Sequence, residues 1–200
     1  NLDHDGDLDI AVANEGSDDV SLFQQTSPGV FTTLTAVSVG DGPRDIIATD
    51  FNNDGQIDLV TADKLSNEIS LLRNDNSGIT FTRTAISLAG ALPSSLLAED
   101  FDQDGRVDLV VGAVGTGEVL LLPNSGQGMF GTPVVLLNGV DATSLGSTDV
   151  DLDGDADLFV PSESASGTVG VLINDNGTFP SSFVFATGSQ PASIAFADFN

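Results

Sequence analysis

The 200-residue chain has no cysteine, tryptophan or tyrosine, and only one histidine, one methionine and five lysine or arginine residues. Without cysteine there are no disulfides, although that leaves the compartment open. Five basic residues against 30 acidic ones give a formal charge of −25. Such a balance excludes the basic patches that nucleic acid and anionic membrane surfaces require. No apolar run approaches the roughly 18 residues of a membrane-spanning helix. The side-chain inventory also offers little to an active site, which needs a nucleophile, a general base or a redox centre. The expectation is therefore a protein that is not an enzyme, with no nucleic-acid partner and no membrane insertion.

Hydrophobic residues make up 40% of the chain, enough for a packed core. The acidic residues are concentrated rather than spread. Seventeen of the 30 fall in one nine-residue sentence that is written four times and begun a fifth time at Asp198-Phe199-Asn200. The complete copies span residues 1–9, 50–58, 100–108 and 149–157, and their glycines are Gly6, Gly55, Gly105 and Gly154. Other landmarks keep step: Phe31, Phe81, Phe130 and Phe179, and Gly40, Gly90, Gly139 and Gly188. Regular self-similarity on this scale marks a tandem array. Its units run about 1–49, 50–99, 100–148 and 149–197, with a further unit starting at 198–200. Because the chain opens at the first position of the acidic sentence, the array is expected to continue at both ends.

Each unit reads as four short strands. One, such as Ile46-Ile47-Ala48 or Ser193-Ile194-Ala195-Phe196, runs into the acidic loop. A second leaves it, as in Ile57-Asp58-Leu59-Val60. The third is typified by Ile69-Ser70-Leu71-Leu72. A turn such as Asn74–Gly78 or Asn124–Gly128 leads to the fourth, such as Phe81–Leu88. Apolar runs of strand length, rich in Val, Ile, Thr and Phe and separated by turn residues, predict an all-β fold. Four strands in about 50 residues is the size of one β-propeller blade. The chain is thus expected to form a single array of tandem four-stranded blades. The repeated phenylalanines are expected to anchor the core between blades.

The acidic loop reads as an oxygen-ligand site for a hard cation. Positions 1, 3, 5 and 9 are Asn1, Asp3, Asp5 and Asp9 in the first copy. They are Asp50, Asn52, Asp54 and Asp58 in the second, Asp100, Asp102, Asp104 and Asp108 in the third, and Asp149, Asp151, Asp153 and Asp157 in the fourth. Glycine at position 6 permits a sharp turn at positive φ. The backbone carbonyl of position 7 (Asp7, Gln56, Arg106 and Asp155) then points inward, so its side chain varies freely. Five or more oxygens, three or four of them from carboxylates, suit Ca²⁺ better than Mg²⁺, about one ion per complete loop and up to four in all. No histidine or cysteine set exists for zinc or copper, and His4 occupies the variable position 4. An EF-hand shares positions 1, 3, 5 and 6 but needs a glutamate at position 12, where this chain has Val12, Thr61, Val111 and Val160.

The pattern Asp-x-Asp/Asn-x-Asp-Gly-x-x-Asp between two strands, with a Gly-x-x-Pro lead-in (Gly40 to Pro43, Gly90 to Pro93, Gly188 to Pro191), resembles the FG-GAP/VCBS-type repeat. The likeness covers essentially the whole chain, and the bacterial surface or secreted form fits best. It implies integrin-α-like propeller blades with calcium in the loop between the first two strands. It also implies a rigid extracellular scaffold with adhesive or ligand-binding surfaces. Asn1 replaces the usual Asp at position 1, and Ala142 stands where the lead-in proline would be. The expected function is a non-catalytic, calcium-binding scaffold, adhesion module or fibre-forming building block. Its partners would be other copies of itself or the rest of a longer chain. The alternative is a lectin-like adhesin that binds a surface glycan or protein, although tryptophan and tyrosine, the usual sugar platforms, are missing.

Overall fold

The computed structural model describes residues 1–74, 79–163 and 167–197. All regular structure among them is β, arranged in four antiparallel sheets of four strands. The first sheet contains β1 (Ile10–Asn14), β2 (Asp19–Ser27), β3 (Val30–Thr33) and β4 (Val37–Ser38). The second contains β5 (Pro43–Thr49), β6 (Asp58–Asp63), β7 (Glu68–Asn74) and β8 (Phe81–Ser87). The third contains β9 (Pro93–Glu99), β10 (Asp108–Ala113), β11 (Glu118–Leu122) and β12 (Val134–Asn138). The fourth contains β13 (Gly146–Thr148), β14 (Asp157–Ser162), β15 (Thr168–Asp175) and β16 (Thr178–Ala186). In the last three sheets the strands lie side by side in chain order, as expected for propeller-type blades. In the first, β3 and β4 both pair with β2.

Each acidic loop from the second onward joins the first and second strands of its sheet. A sheet therefore combines the last strand of one loop-to-loop repeat with three strands of the next. The second strands show why the sequence reads as it does there. All six residues of β6, β10 and β14 are buried, so both faces select apolar or small side chains. The fourth strands are mostly exposed, as in β8, which accordingly carries Thr82, Arg83 and Thr84.

The chain divides into two compact units, Asn1–Pro93 and Ser94–Asn200. In the first, Leu2, Val20, Leu22 and Val39 pack with Leu59 and Leu72, a directly registered β6–β7 pair. In the second, Phe101, Val110, Val119 and Leu121 pack with Leu158, Val160 and Leu172. Both cores are thus built from equivalent faces of successive sheets. The lead-in glycine Gly40 is fixed by crowding. A Cβ there would meet Asp63 Cβ at 2.8 Å, and the Gly40 N–H donates to Asp63 Oδ2 at 3.0 Å.

Two sequence expectations change. The repeated phenylalanines are not the deepest residues: Phe31 is 41% exposed, and Phe81 and Phe179 only flank the cores. The fully buried rings are Phe51 and Phe101, at position 2 of the acidic loop, where Leu2 is also buried. Position 2 lies at the neck of the loop, and in the first three loops its side chain is buried; in the fourth, Val150 is 51% exposed. Second, Ser193–Phe196 forms no strand. The Phe196 ring instead packs edge-on against Phe159 at 4.8 Å. The loop that would lead this segment to a partner strand falls at Asp198–Asn200, outside the described residues, as does part of the turn expected at Asn74–Gly78.

Candidate metal centres in the acidic loops

A single backbone device shapes all four loops. The position-9 aspartate lies at the loop's exit into the next strand and uses both carboxylate oxygens on backbone donors. Its Oδ2 accepts the N–H of position 2: Leu2 to Asp9 at 2.6 Å, Phe51 to Asp58 at 3.2 Å, Phe101 to Asp108 at 3.3 Å and Val150 to Asp157 at 2.8 Å. Its Oδ1 accepts an N–H from the far end of the hairpin's other strand or just beyond. The donors are Gln25 at 2.9 Å, Asn74 at 2.9 Å, Asn124 at 2.7 Å and Asn174 at 2.9 Å. The loop neck is thereby tied to the neighbouring hairpin.

Further in, the side chains of positions 1, 3 and 5 fold over the loop's own backbone. The N–H of glycine at position 6 donates to position 1: Gly55 to Asp50 at 2.8 Å, Gly105 to Asp100 at 2.9 Å and Gly154 to Asp149 at 3.1 Å. The N–H of position 7 donates to Oδ1 of position 5 in every loop, at 2.8–2.9 Å. A carboxylate oxygen accepts more than one bond, so these contacts orient the ligand oxygens without exhausting them.

The glycines are required for their backbone. Their φ values are +96°, +87°, +83° and +102°, and nothing lies within 4 Å of where a Cβ would stand. Position 4 is left-handed too: His4, Asn53, Gln103 and Leu152 have φ between 54° and 65°. Sequence variability at position 4 hid that constraint.

The loops differ in how closely they gather carboxylates. In the third, oxygens of Asp100, Asp102 and Asp108 lie within 4.8 Å of one another, and in the fourth those of Asp149, Asp151 and Asp153 do so. Ligands about 2.3–2.6 Å from one Ca²⁺ are at most about 5 Å apart, so both trios fit a shared ion. In the first loop Gln24 Nε2 donates to Asp3 Oδ2 at 2.6 Å, and in the second Asn52 Nδ2 donates to Asp54 Oδ2 at 3.0 Å. Among the described residues neither of those loops brings three carboxylates together. The buried Asn1 Oδ1, at position 1, has no hydrogen-bond partner and is the kind of oxygen a cation would engage.

Position 7 is busier than a bare carbonyl. Arg106 pairs with the Asp104 carboxylate and donates from Nε to the Asn124 carbonyl at 2.8 Å. Asp155 accepts the N–H of Asn176 at 2.6 Å. His4 is exposed, as its place in the sequence implied.

Burial first, and neighbouring negative charge after it, raise three of these carboxylates. Burial, then the charges of Asp54 and Asp50, push Asp58 up to about 6 against the N–H bonds that favour its ionised form. Burial also pushes Asp108 up to about 6, with Asp102 and Asp104 adding to it. Desolvation and the charges of Asp153, Asp157 and Asp149 raise Asp151. A bound divalent cation would reverse this local balance.

The sequence matches the FG-GAP-like repeat four times, over residues 1–61, 50–111, 100–160 and 149–200. The chain belongs to the FG-GAP-like repeat family. Each of the first three matches runs from one acidic loop through the next, so the family's unit is the loop-to-loop repeat. No curated protein matches the sequence.

Solved structures with the same fold include BBS1N in complex with ARL6DN, at 16% identity and a TM-score of 0.65 over 95% of this chain and 55% of that one. An Agrocybe aegerita lectin recognising non-reducing terminal N-acetylglucosamine is 19% identical, with a TM-score of 0.61 over 91% and 50%. A Lactobacillus plantarum protein is 17% identical, with a TM-score of 0.58 over 91% and 54%. The FG-GAP-like chain therefore spans about half the length of these three solved chains.

Proposed function

We propose that this FG-GAP-like array is a non-catalytic, extracellular scaffold module whose blades are stiffened by Ca²⁺ held in the acidic loops. The observation that carries the reading is the pair of carboxylate trios, Asp100/Asp102/Asp108 and Asp149/Asp151/Asp153, each held open by the loop's own N–H groups. Oxygen donors alone, three of them anionic, are a calcium donor set, and millimolar extracellular calcium suits loops of moderate affinity. The cation would neutralise carboxylates that now repel one another and would fix the loop neck to the hairpin behind it. A module so stiffened serves adhesion or fibre building, with further copies or the rest of a longer chain as partners.

The test is thermal unfolding of the chain in millimolar calcium and in excess chelator. Binding confined to the folded state raises the midpoint by an amount set by ligand concentration over dissociation constant. A clear calcium-dependent rise, and one ion fewer bound by Asp102→Ala, support the reading. Equal midpoints would sink it.

A second reading, a glycan- or protein-binding surface, draws on the lectin and the ARL6DN complex among the structural neighbours. A hollow of about 510 Å³ lined by Thr148, Asp149, Val150, Phe159 and Phe196 offers aromatic and acidic groups together. Saturable binding on a glycan array, lost in Phe159→Ala, would favour it over a purely structural role.

A further inference from the structure

Three consecutive residues of the third loop reach into the fourth blade. The Phe101 carbonyl accepts from Asn174 Nδ2 at 2.8 Å, while the N–H of the same Asn174 donates to Asp157, position 9 of the fourth loop. The Asp102 backbone is pressed against the β15–β16 turn at Gly177, where a Cβ would meet Asp102 Cβ at 2.6 Å. Gln103 donates from Nε2 to the Gly154 carbonyl at 3.1 Å and to the Asp155 carboxylate. Asp155 in turn accepts the N–H of Asn176 in that same turn. Residues 101–103 thus touch positions 6, 7 and 9 of the next loop directly or through one residue.

Resting on the calcium reading above, we propose that Gln103 and Asn174 couple the third and fourth loops, so that a cation in one raises the affinity of the other. Gln103 stands between two third-loop carboxylates, Asp102 and Asp104, in a left-handed conformation with φ of +54°. A cation drawing Asp102 inward fixes that backbone and, through it, the reach of the Gln103 amide. The amide then holds Gly154 and Asp155, the turn through which the fourth loop must close on its own ion. Ordering one loop removes part of the entropy that the other would lose on binding, which is positive coupling. The effect is reciprocal: each ion changes the other's affinity by the same factor. Gln103 is exposed and contributes nothing to the core, so its role here is positioning rather than ligation.

The experiment is a calcium titration of the whole ¹⁵N-labelled chain, following the Gly105 and Gly154 amides as separate reporters of the two loops. In the unaltered chain both are expected to shift over one shared calcium range. Asp151→Ala should silence Gly154 and raise the Gly105 midpoint by at least about fivefold, the lower end of ordinary coupling. Gln103→Ala should leave both loops able to bind but split the two midpoints. A Gly105 midpoint unchanged by Asp151→Ala overturns the coupling and leaves calcium binding standing. A shift with Asp151→Ala but none with Gln103→Ala overturns the role of Gln103. If neither amide moves in the unaltered chain, the coupling and the calcium reading fall together.

Discussion

Asn74 reaches across 72 residues of sequence to donate from Nδ2 to the Leu2 carbonyl at 2.7 Å, while its own N–H is held by Asp58. Asn174 repeats the arrangement with Phe101 and Asp157. In each case the residue that closes one loop neck grips the position-2 carbonyl of the preceding loop. Asn74→Ala would leave that buried carbonyl unpaired, at a cost of about 1–3 kcal/mol. Urea unfolding of the variant should show a lower midpoint at an unchanged slope.

Phe101 and Phe31 should respond very differently to truncation. Phe101 is wholly buried and packs edge-on against Phe179 at 5.8 Å, whereas Phe31 is 41% exposed on β3. Phe101→Ala is expected to destabilise by about 3–5 kcal/mol. Phe31→Ala should cost under half of that in the same denaturant titration. A larger loss at Phe31 would contradict the placement of the core anchor at loop position 2.

Gly105 and Gly154 have free space around them but φ values of +83° and +102°. Alanine at either position should therefore destabilise through the backbone alone, by about 1–2 kcal/mol. Asparagine, which tolerates positive φ better, should cost less. Thermal unfolding in chelator, where no cation masks the difference, would rank glycine above asparagine and asparagine above alanine.

The pH dependence follows from Asp58 and Asp108. Their folded values of about 6 lie above the ordinary value of 3.8. Between those limits the folded state holds more protons than the unfolded state, so unfolding free energy falls as pH rises. The contribution is complete below about pH 3.8 and is lost as pH climbs through about 6. In chelator, the midpoint should be higher at about pH 4.5 than at about pH 7. Calcium should reverse that order, because protons compete with the cation for the same carboxylates. A midpoint in chelator that instead rises over the same interval would show that these aspartates are not strained by burial.

Much of the fold was legible because the repeat is regular and the strands carry turn signals at their ends. Phe81–Leu88 lies within a residue of β8, and Ile69–Leu72 falls inside β7. The gathering of acids in the loop was legible because alternate acids around a recurring glycine are what a backbone needs to bring several carboxylates together, as in the third and fourth loops. What escaped was anything set by tertiary context. Asn74, Asn124 and Asn174 recur every 50 residues, yet asparagine beside glycine and serine reads first as turn chemistry. Leu2, Phe51 and Phe101 recur too, but a lone apolar residue inside an acidic run looks like spacing rather than core. The left-handed backbone at Leu152 has no sequence signal at all, since leucine is a poor choice for it.

The buried second strands and exposed fourth strands divide each blade into two mutational regimes. In β6, β10 and β14 every residue is enclosed, so a change of even one methylene is felt by neighbours on both faces. Along β8 Thr82, Thr84 and Ala85 stand in solvent, where substitutions ordinarily shift stability by no more than about 0.5 kcal/mol, whereas Arg83 donates from Nε to Ser70 Oγ at 2.8 Å and pairs with Glu68. Drift in such an array therefore accumulates along its fourth strands. Two descendants of one repeat can come to present unrelated outer surfaces while their second strands stay wholly enclosed, as β6, β10 and β14 do here.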